Sequence, residues 1–214
     1  TVDSIQQVPN DQWGFDLGYR QRLHPPTVVD NGTLVPVSQG PATGVEWQAV
    51  VQPGLHAYNP DGTHRWRLPF PAAWTDGNPT DTKSEYAVST PAVGDGMGYV
   101  LSSWIAGGET TEQRSTTSCA ALRAFDVASG TERWRVSFPG YGGSRVSPVV
   151  ADGRVYSVLG SVEQPDQSSR LVAHDRGGEH LWRLDLPARA LHLAVVGELL
   201  YVTLRDRVVA YGPQ

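Results

Sequence analysis

The sequence is poor in cysteine and lysine, and it lacks long apolar runs. Its 214 residues include one cysteine, Cys119, and one lysine, Lys83. A single cysteine excludes an intrachain disulfide. No apolar run approaches the roughly 18 residues of a membrane span, so we expect no membrane insertion by this segment. The formal net charge of -5 argues against a nucleic-acid partner, because phosphate binding requires a basic surface.

The chain also lacks helical periodicity and any visible signal peptide. It begins with Thr1 rather than methionine, and we therefore expect a targeting or anchoring segment upstream. Glycine and proline are frequent instead, with 23 and 16 residues, which is typical of a protein with many tight turns. A single all-β domain over residues 1–214 fits this composition and length.

A hairpin pattern recurs four times along the chain. Residues 89–101 and 147–158 each read as a short apolar strand, an Asp-Gly pair and a second strand with alternating apolar residues. Asp-Gly between such strands predicts a β-hairpin, because both turn residues must tolerate positive φ. Residues 26–37 form a third copy with a predicted turn at Asn31-Gly32, and residues 193–202 form a more degraded fourth copy.

The first three hairpins along the chain are each followed by a second repeated segment. Residues 55–68, 122–136 and 171–184 all show a strand ending in Ala-aromatic-Asp/Asn or its close variant, a glycine turn, and a strand centred on Trp-Arg. This phrase resembles the repeat of the PQQ-like (quinoprotein-type) β-propeller family. The tryptophans that share one repeat position are Trp13, Trp66, Trp134 and Trp182. We expect these to pack between blades, and the repeated alanines Ala57, Ala124, Ala173 and Ala210 to occupy tight packing positions.

The resemblance implies a β-propeller with four blades of four antiparallel strands. The fourth copy stops before its tryptophan strand, and residues 11–17 around Trp13 supply that strand, so we predict that the N-terminal strand closes the ring. The predicted blades are residues 24–70, 86–139, 144–187, and 190–212 plus 11–17. Because the family usually forms seven or eight blades, two alternatives stay open: a homodimer forming one eight-bladed ring, or half of a longer ring.

The cofactor chemistry of the family does not carry over to this sequence. The resemblance implies calcium ligands and an adjacent disulfide in the quinoprotein dehydrogenases, and this chain shows neither pattern. We therefore expect no cofactor and no metal. Asp30, Asp95 and Asp152 read as turn residues rather than ligands. His174 replaces an aromatic residue of the repeat and is predicted to be structural, whereas His64 and His180 are predicted to face solvent.

Three tryptophans fall outside the repeat and predict a binding surface. Trp47, Trp74 and Trp104 lie in the long connections 39–54, 69–88 and 103–118, which we interpret as loops on one face of the ring. Long loops are often functional, and tryptophan is enriched at binding hot spots. The alternative is that each indole covers the edge of its own blade.

A polar funnel near the ring axis is the second predicted site. The segments that enter the inner strands contribute Arg22, His24, Glu85, Tyr86, Tyr141, Arg145, Arg189 and His192. Of these, Arg145 and Arg189 offer guanidinium groups to an anionic ligand. The alternative is that they are solvated loop residues with local hydrogen bonds. The residues that we assign to ligand or partner binding are Trp47, Trp74, Trp104, Glu85, Tyr86, Arg145, Arg189 and His192.

The sequence favours a non-catalytic binding module, because motifs of hydrolases, metalloproteases and nucleotide-binding enzymes are missing. The resemblance implies relatives such as bacterial sensor ectodomains and the outer-membrane assembly lipoprotein, so we expect an extracytoplasmic protein, whether secreted, periplasmic or membrane-anchored. The partner would be a protein or a small polar ligand. The alternative function is an enzyme or enzyme subunit that uses Glu85, Arg145 and His192 in the funnel.

Overall fold

The computed structural model describes residues 21–23, 25–39, 54–70, 86–87, 89–110, 113–161 and 168–212. These residues form an all-β structure, as predicted, with 18 strands arranged in four antiparallel sheets. The described sheets have five, five, five and three strands, whereas four strands were predicted for each. Among them, no helix has the length and apolar character needed to span a membrane. The predicted closing strand, residues 11–17, lies outside the described residues.

The strands follow one another sheet by sheet along the chain. The first sheet contains β1 (Gln21–Leu23), β2 (Thr27–Val29), β3 (Gly32–Gln39), β4 (Gly54–Tyr58) and β5 (His64–Pro69). The second contains β6 (Tyr86–Ala87), β7 (Ala92–Gly94), β8 (Met97–Thr110), β9 (Gln113–Asp126) and β10 (Glu132–Pro139). The third contains β11 (Tyr141–Gly143), β12 (Val149–Ala151), β13 (Arg154–Ser161), β14 (Ser169–Asp175) and β15 (His180–Leu186). The fourth contains β16 (Ala190–Val196), β17 (Leu199–Leu204) and β18 (Val208–Tyr211).

The four sheets share one plan. In the first three, an inner strand in two pieces pairs with a second strand, which pairs with a third and then an outer strand. The described part of the fourth sheet has the inner, second and third strands only. Where the inner strand is interrupted in the second sheet, the Ser89 hydroxyl oxygen accepts the N–H of Leu101 at 3.0 Å. The hydroxyl therefore replaces a missing ladder partner.

Two-residue turns connect the inner and second strands. Asp95 and Gly96 have φ values of 49° and 77°, and Asp152 with Gly153 repeats this geometry, as predicted for hairpin turns with two positive φ values. In the first sheet the predicted turn at Asn31-Gly32 is wrong by one residue. Val29 pairs with Gly32, so the turn consists of Asp30 and Asn31. Gly32 is the first residue of the strand, and glycine is required there because a Cβ would stand 2.0 Å from the Tyr58 carbonyl oxygen.

In the second and third sheets, the repeated alanine lies between two large aromatic side chains. Ala124 on the third strand pairs with Tyr99 on one side and with Trp134 on the other. The two rings approach across the small alanine, with centroids 5.8 Å apart. The same row in the third sheet joins Tyr156, Ala173 and Trp182. A larger residue in place of alanine would separate the two rings.

The tryptophans of the outer strands connect successive sheets by hydrogen bonds and packing contacts. The Trp66 indole donates its N–H to the Val127 carbonyl oxygen at 3.1 Å in the second sheet. The Trp134 indole donates in the same way to the Arg176 carbonyl oxygen at 2.7 Å in the third sheet. Each indole also packs directly on a glycine. A Cβ on Gly130 would lie 2.4 Å from the Trp66 ring, and a Cβ on Gly178 would lie 2.8 Å from the Trp134 ring. These contacts confirm the predicted packing of Trp66 and Trp134 between sheets.

Three apolar clusters fill the spaces between neighbouring sheets. The first joins Leu34, Leu55, Ala57, Leu68 and Phe70 to Val100 and Phe125. The second joins Tyr99, Leu101, Ala120, Leu122 and Ala124 to Val155, Leu159 and Val172. The third joins Val146, Val158, Leu171 and Leu186 to Ala190, Leu200, Val202 and Leu204. The core therefore runs as a series of sheet-to-sheet junctions rather than as one central cluster.

An ion pair is buried at the first of these junctions. The Arg123 guanidinium pairs with the Glu132 carboxylate on the neighbouring strand, and its carbon lies 5.2 Å from the centre of the Phe70 ring. Its side chain is almost fully buried, whereas that of Glu132 is partly exposed. Both hydrogen bonding and stacking thus satisfy this charge, as a buried guanidinium requires.

The predicted loop 103–118 is wrong. Strands β8 and β9 continue past the rest of their sheet and pair from Trp104 with Cys119 to Thr110 with Gln113. Pairing of β8 with the inner strand β6 ends at Ser103, and pairing of β9 with the outer strand β10 ends at Cys119. We call residues 104–110 and 113–118 the ribbon, since in the described structure this stretch is two-stranded.

Substitution of Gly130 tests the tryptophan contact. We expect Gly130→Ala to lower the free energy of unfolding by roughly 2–4 kcal/mol, because the new Cβ meets the Trp66 ring and the φ of 72° is unfavourable. The control is Gly140→Ala, at a φ of 80° with no described atom within 4 Å of the added Cβ, which should cost about 1 kcal/mol. Urea unfolding of both variants measures the difference. Equal losses would show that Trp66 does not depend on the glycine.

Candidate functional site

The structure describes only part of the predicted tryptophan surface. Trp47, Trp74 and Glu85 lie outside the described residues. Trp104 is the first residue of the ribbon, and Tyr86 pairs with the adjacent Ser103. Strand pairing therefore brings Tyr86 and Trp104 to the same end of the second sheet, where the ribbon leaves it.

The predicted polar residues near the axis occupy separate places. Arg145 is an exposed residue between the two pieces of the inner strand of the third sheet. Arg189 precedes β16 and His192 lies on it, and both are exposed. Tyr141 lies under the Arg170 guanidinium, whose carbon is 4.9 Å from the ring centre. The two remaining predicted positions, Arg22 and His24, fall on residues whose side chains are not described.

The Arg170 side chain is itself held in place. It donates to the Asp185 carboxylate at 2.5 Å, and this hydrogen bond lowers the pKa of Asp185 and raises the pKa of Arg170. Tyr141 is therefore covered by a paired guanidinium. Such local bonding is what we expect if the predicted funnel residues are solvated loop residues with local hydrogen bonds, which was the alternative to a ligand site.

The inner strands approach one another closely. The Thr27 hydroxyl donates to the Pro91 carbonyl oxygen at 2.7 Å, which joins the first two sheets. A Cβ on Gly94 would lie 3.0 Å from the Val150 side chain, which joins the second and third. These two contacts between the inner strands of successive sheets are thus a hydrogen bond and an apolar approach. Within the described ranges, no three His, Cys, Asp or Glu side chains gather to hold a metal ion.

His174 is buried at the junction of the second and third sheets. Its side chain is fully buried, and neither ring nitrogen has a hydrogen-bond partner in the described structure. The ring stacks edge-on with Phe138 and His180. Burial, assisted by the nearby His180, lowers the pKa of His174 to about 4. The neutral ring therefore acts as an aromatic packing residue, as its place in the repeat predicts.

His174 makes stability dependent on pH. Its pKa is about 4 in the folded state and 6.5 as the ordinary value, so the unfolded chain binds more protons between these pH values. Stability should fall as the pH drops from 6.5 to 4, by up to roughly 3 kcal/mol. We expect His174→Phe, which copies Phe125 at the same repeat position, to remove this loss.

The measurement for His174 is urea unfolding at a series of pH values from 4 to 7. His192→Gln is the matched control, because His192 is exposed and its replacement should leave the pH dependence unchanged. If His174→Phe loses as much stability between pH 6.5 and 4 as the unaltered chain, the buried imidazole is not the source of the effect.

A cavity that the sequence did not reveal lies between the third and fourth sheets. It has a volume of about 370 Å³. Its aromatic lining consists of Tyr156, Trp182 and Tyr211, and charged groups are supplied by Asp152, Arg154 and Glu198. Asp152 and Glu198 belong to turns between inner and second strands, so the cavity opens at the end of the sheets opposite to the ribbon.

Two of the aromatic residues that line this cavity occupy positions of the sequence repeat. Trp182 occupies the position of Trp66 and Trp134, and Tyr211 occupies the position of Phe125 and His174. The sequence shows that these residues are equivalent to packing residues elsewhere. It does not show that Trp182 is 38% exposed, because exposure depends on how the neighbouring turn fills the junction.

Comparison with known proteins finds a family model and solved structures to which this chain is similar. Residues 119–212 match the family model described as outer membrane protein assembly factor BamB. None of the curated proteins matches the chain. Among the solved structures, 21 chains match, including BamB from Moraxella catarrhalis, which is 16% identical with a TM-score of 0.39. The match covers 88% of this chain and 57% of that one, so this chain spans little more than half the length of that protein.

The family model covers the end of β9 and all of β10 in the second sheet, together with the third and fourth sheets. The Ala-aromatic-Asp and Trp-Arg phrases recur in this part of the chain. The predicted resemblance is confirmed over residues 119–212, which match this family model.

Proposed function

We propose that this chain is a non-catalytic, protein-binding propeller module of the scaffold type that works outside the cytoplasm. The family model matched by residues 119–212 carries the name of an outer membrane protein assembly factor. An assembly factor acts by binding other proteins, and its named task lies at the outer membrane. These two points support a protein partner and a periplasmic or membrane-anchored setting for this chain.

The ribbon is the observation that carries the proposal. In the first and third sheets the second strands, β3 and β13, each have 8 residues, whereas β8 and β9 each have 14. The added length extends beyond the inner and outer strands of the second sheet. A two-stranded extension of this kind presents N–H and C=O groups along its edges, which another chain can meet by strand addition. The ribbon is therefore the proposed partner-binding element.

The proposed contact surface combines the ribbon with the connections at the same end of the sheets. Connections between second and third strands, and between outer and following inner strands, lie at one end of an antiparallel sheet. Trp47 and Trp74 belong to such connections, and Trp104 begins the ribbon. Tryptophans at this end would serve as the anchors of the surface. The polar residues assigned to its rim are Glu85, Tyr86, Arg145, Arg189 and His192.

Ring closure by the N-terminal strand is a further part of the proposal. The turn before Trp66 has Gly62 at a φ of 83°, as Gly130 and Gly178 have φ values of 72° and 88°. Hydrogen bonds from Asn59 to Thr63 and from Gly62 to Asn59 repeat those of the occupied turns. No described atom lies within 4 Å of a Cβ added to Gly62. The proposed closure assigns Trp13 to this turn, as Trp66 and Trp134 are assigned to the turns of the sheets that follow them.

The triple variant Trp47→Ala, Trp74→Ala and Trp104→Ala tests the contact surface. The unaltered chain is used to capture proteins from a periplasmic extract, and each captured protein is then purified and its affinity measured. We expect at least a tenfold loss of affinity in the triple variant, because buried tryptophans dominate interfaces. A second variant, with residues 105–118 replaced by an Asn-Gly turn, should lose binding as well.

The control for this experiment is Leu181→Ala, an exposed apolar residue on β15 away from the ribbon. It should leave the affinity unchanged. Equal affinities for the unaltered chain, the triple variant and the shortened ribbon would contradict the proposed surface, provided that all variants unfold at similar urea concentrations.

A double-mutant cycle between Trp13→Phe and Gly62→Ala tests the closure. If the indole lies on the glycine, we expect the double variant to lose less stability than the sum of the single losses, by about 1 kcal/mol. Trp182→Phe combined with Gly62→Ala is the matched control and should be additive. Additivity in the first pair would contradict the closure, and an unfolding midpoint that rises with protein concentration would favour the dimeric eight-bladed ring instead.

A further inference from the structure

Two histidines of the first sheet face each other across neighbouring strands. His56 lies on β4 and His64 begins β5, and the Nδ1 atom of His56 lies 3.3 Å from the Nε2 atom of His64. The centres of the two rings are 5.5 Å apart, with an interplanar angle of 63°. Because the nitrogens are much closer together than the ring centres, each ring directs one nitrogen at the other.

A bulge in the outer strand creates this arrangement. Ala57 pairs with Trp66 and Tyr58 pairs with His64, so the register shifts between these two pairs. His56 and Tyr58 lie two residues apart on β4 and therefore share one face of the sheet. His64 lies opposite to Tyr58, which brings its side chain to the same face and diagonal to His56.

The pair consists of one fixed ring and one accessible ring. His56 is only 6% exposed, and the Tyr58 ring stacks with it at an interplanar angle of 17°. His64 is exposed, and its ring meets that of Tyr58 edge-on, with the centres 5.4 Å apart. A buried ring and an exposed ring together give a metal ion a rigid first ligand and an entry path.

The second sheet has a pair of interacting polar groups at the same repeat positions. Arg123 is the equivalent of His56, and Glu132 is the equivalent of His64. In the second sheet the guanidinium and the carboxylate neutralise each other. In the first sheet two imidazoles take their places, and neither supplies a negative charge. Two neutral ring nitrogens that face each other can share only a cation, which is either a proton or a metal ion.

The separation of the two nitrogens fits a metal ion better than a shared proton. Hydrogen bonds from N–H groups to oxygen are about 2.7–3.2 Å long, and the 3.3 Å between the imidazoles exceeds this range. Zinc binds imidazole nitrogens at about 2.0–2.1 Å in tetrahedral geometry, which places two such nitrogens about 3.3–3.4 Å apart. An outward tilt of the exposed His64 ring directs its lone pair at such an ion.

We propose that His56 Nδ1 and His64 Nε2 bind one divalent transition-metal ion of the zinc type between β4 and β5. Imidazole is a ligand that suits zinc, copper and nickel, whereas calcium takes oxygen ligands. The site therefore differs in kind from the calcium site of the quinoprotein dehydrogenases. The described residues supply two ligands, since no group of three His, Cys, Asp or Glu side chains gathers among them, and water takes the remaining positions.

The ion joins the third strand of the first sheet to its outer strand. In the unfolded chain the two imidazoles are not held together, so the ion binds the folded chain more tightly. Metal binding then shifts the folding equilibrium toward the folded state, by an amount that grows with the concentration of free metal. The proposal is independent of the protein-binding function, because it concerns the chain and the ion alone.

The test is a titration of the full chain, without a polyhistidine tag, with zinc chloride. Calorimetry measures the affinity and the stoichiometry, and NMR of the nitrogen nuclei in the histidine rings identifies the ligand atoms. We expect one ion per chain. The signals of His56 Nδ1 and His64 Nε2 should move, and those of the second nitrogen in each ring should move less.

His64→Gln is the decisive variant, because His64 is exposed and its replacement leaves the core of the sheet unchanged. It should bind zinc at least about tenfold more weakly, since loss of an outer-shell partner alone typically costs this much. Zinc should also raise the urea midpoint of the unaltered chain and leave that of His64→Gln unchanged.

His180→Gln is the matched control. His180 has the repeat position of His64 in the third sheet, but the position of His56 is taken there by Val172. Its replacement should leave the zinc affinity unchanged, and a loss of affinity would assign the ion to another place. No binding at millimolar zinc would show that the two rings share only a proton. Either result, or equal zinc affinities of the unaltered chain and His64→Gln, would overturn the proposal.

Discussion

The contact of a tryptophan indole with a glycine of the next sheet is the constraint on which the structure depends. Trp134 can lie on Gly178 only because that residue lacks a Cβ and adopts a positive φ. The contact also needs Ala124, whose small side chain lets the indole approach Tyr99 within its own sheet. One interaction therefore fixes three residue types at once, and this explains why the phrase Ala-aromatic-Asp, glycine, tryptophan recurs along the chain.

The junctions differ in what they bury beneath this common contact. The first contains the Arg123–Glu132 ion pair, and the second contains the unpaired imidazole of His174. The first arrangement satisfies a charge by hydrogen bonding, whereas the second keeps a titratable group neutral by desolvation. Acid therefore weakens the second junction specifically, because protonation places an unpaired charge in its core. The fold tolerates both solutions because each junction packs locally.

Local chemistry made much of this fold predictable. Asp95-Gly96 and Asp152-Gly153 predict hairpins because both residues of such a pair tolerate positive φ values, and the structure confirms them. The ribbon was not predicted, because residues 105–118 are rich in glycine, serine and threonine and lack strict alternation. Their pairing follows from the register that β8 and β9 set earlier in the sheet. The cavity at Trp182 depends on a contact between sheets, which no local pattern can show.

The repeated junction has a consequence for how such a chain can change in evolution. Each of the first three sheets carries its own indole on the outer strand and its own glycine in the preceding turn, so both halves of such an interface are inherited together with one repeat. Duplication of a repeat then creates a sheet that already fits both neighbours, and loss of a repeat rejoins two surfaces that also fit. The number of sheets is free to vary while the interface chemistry stays constant.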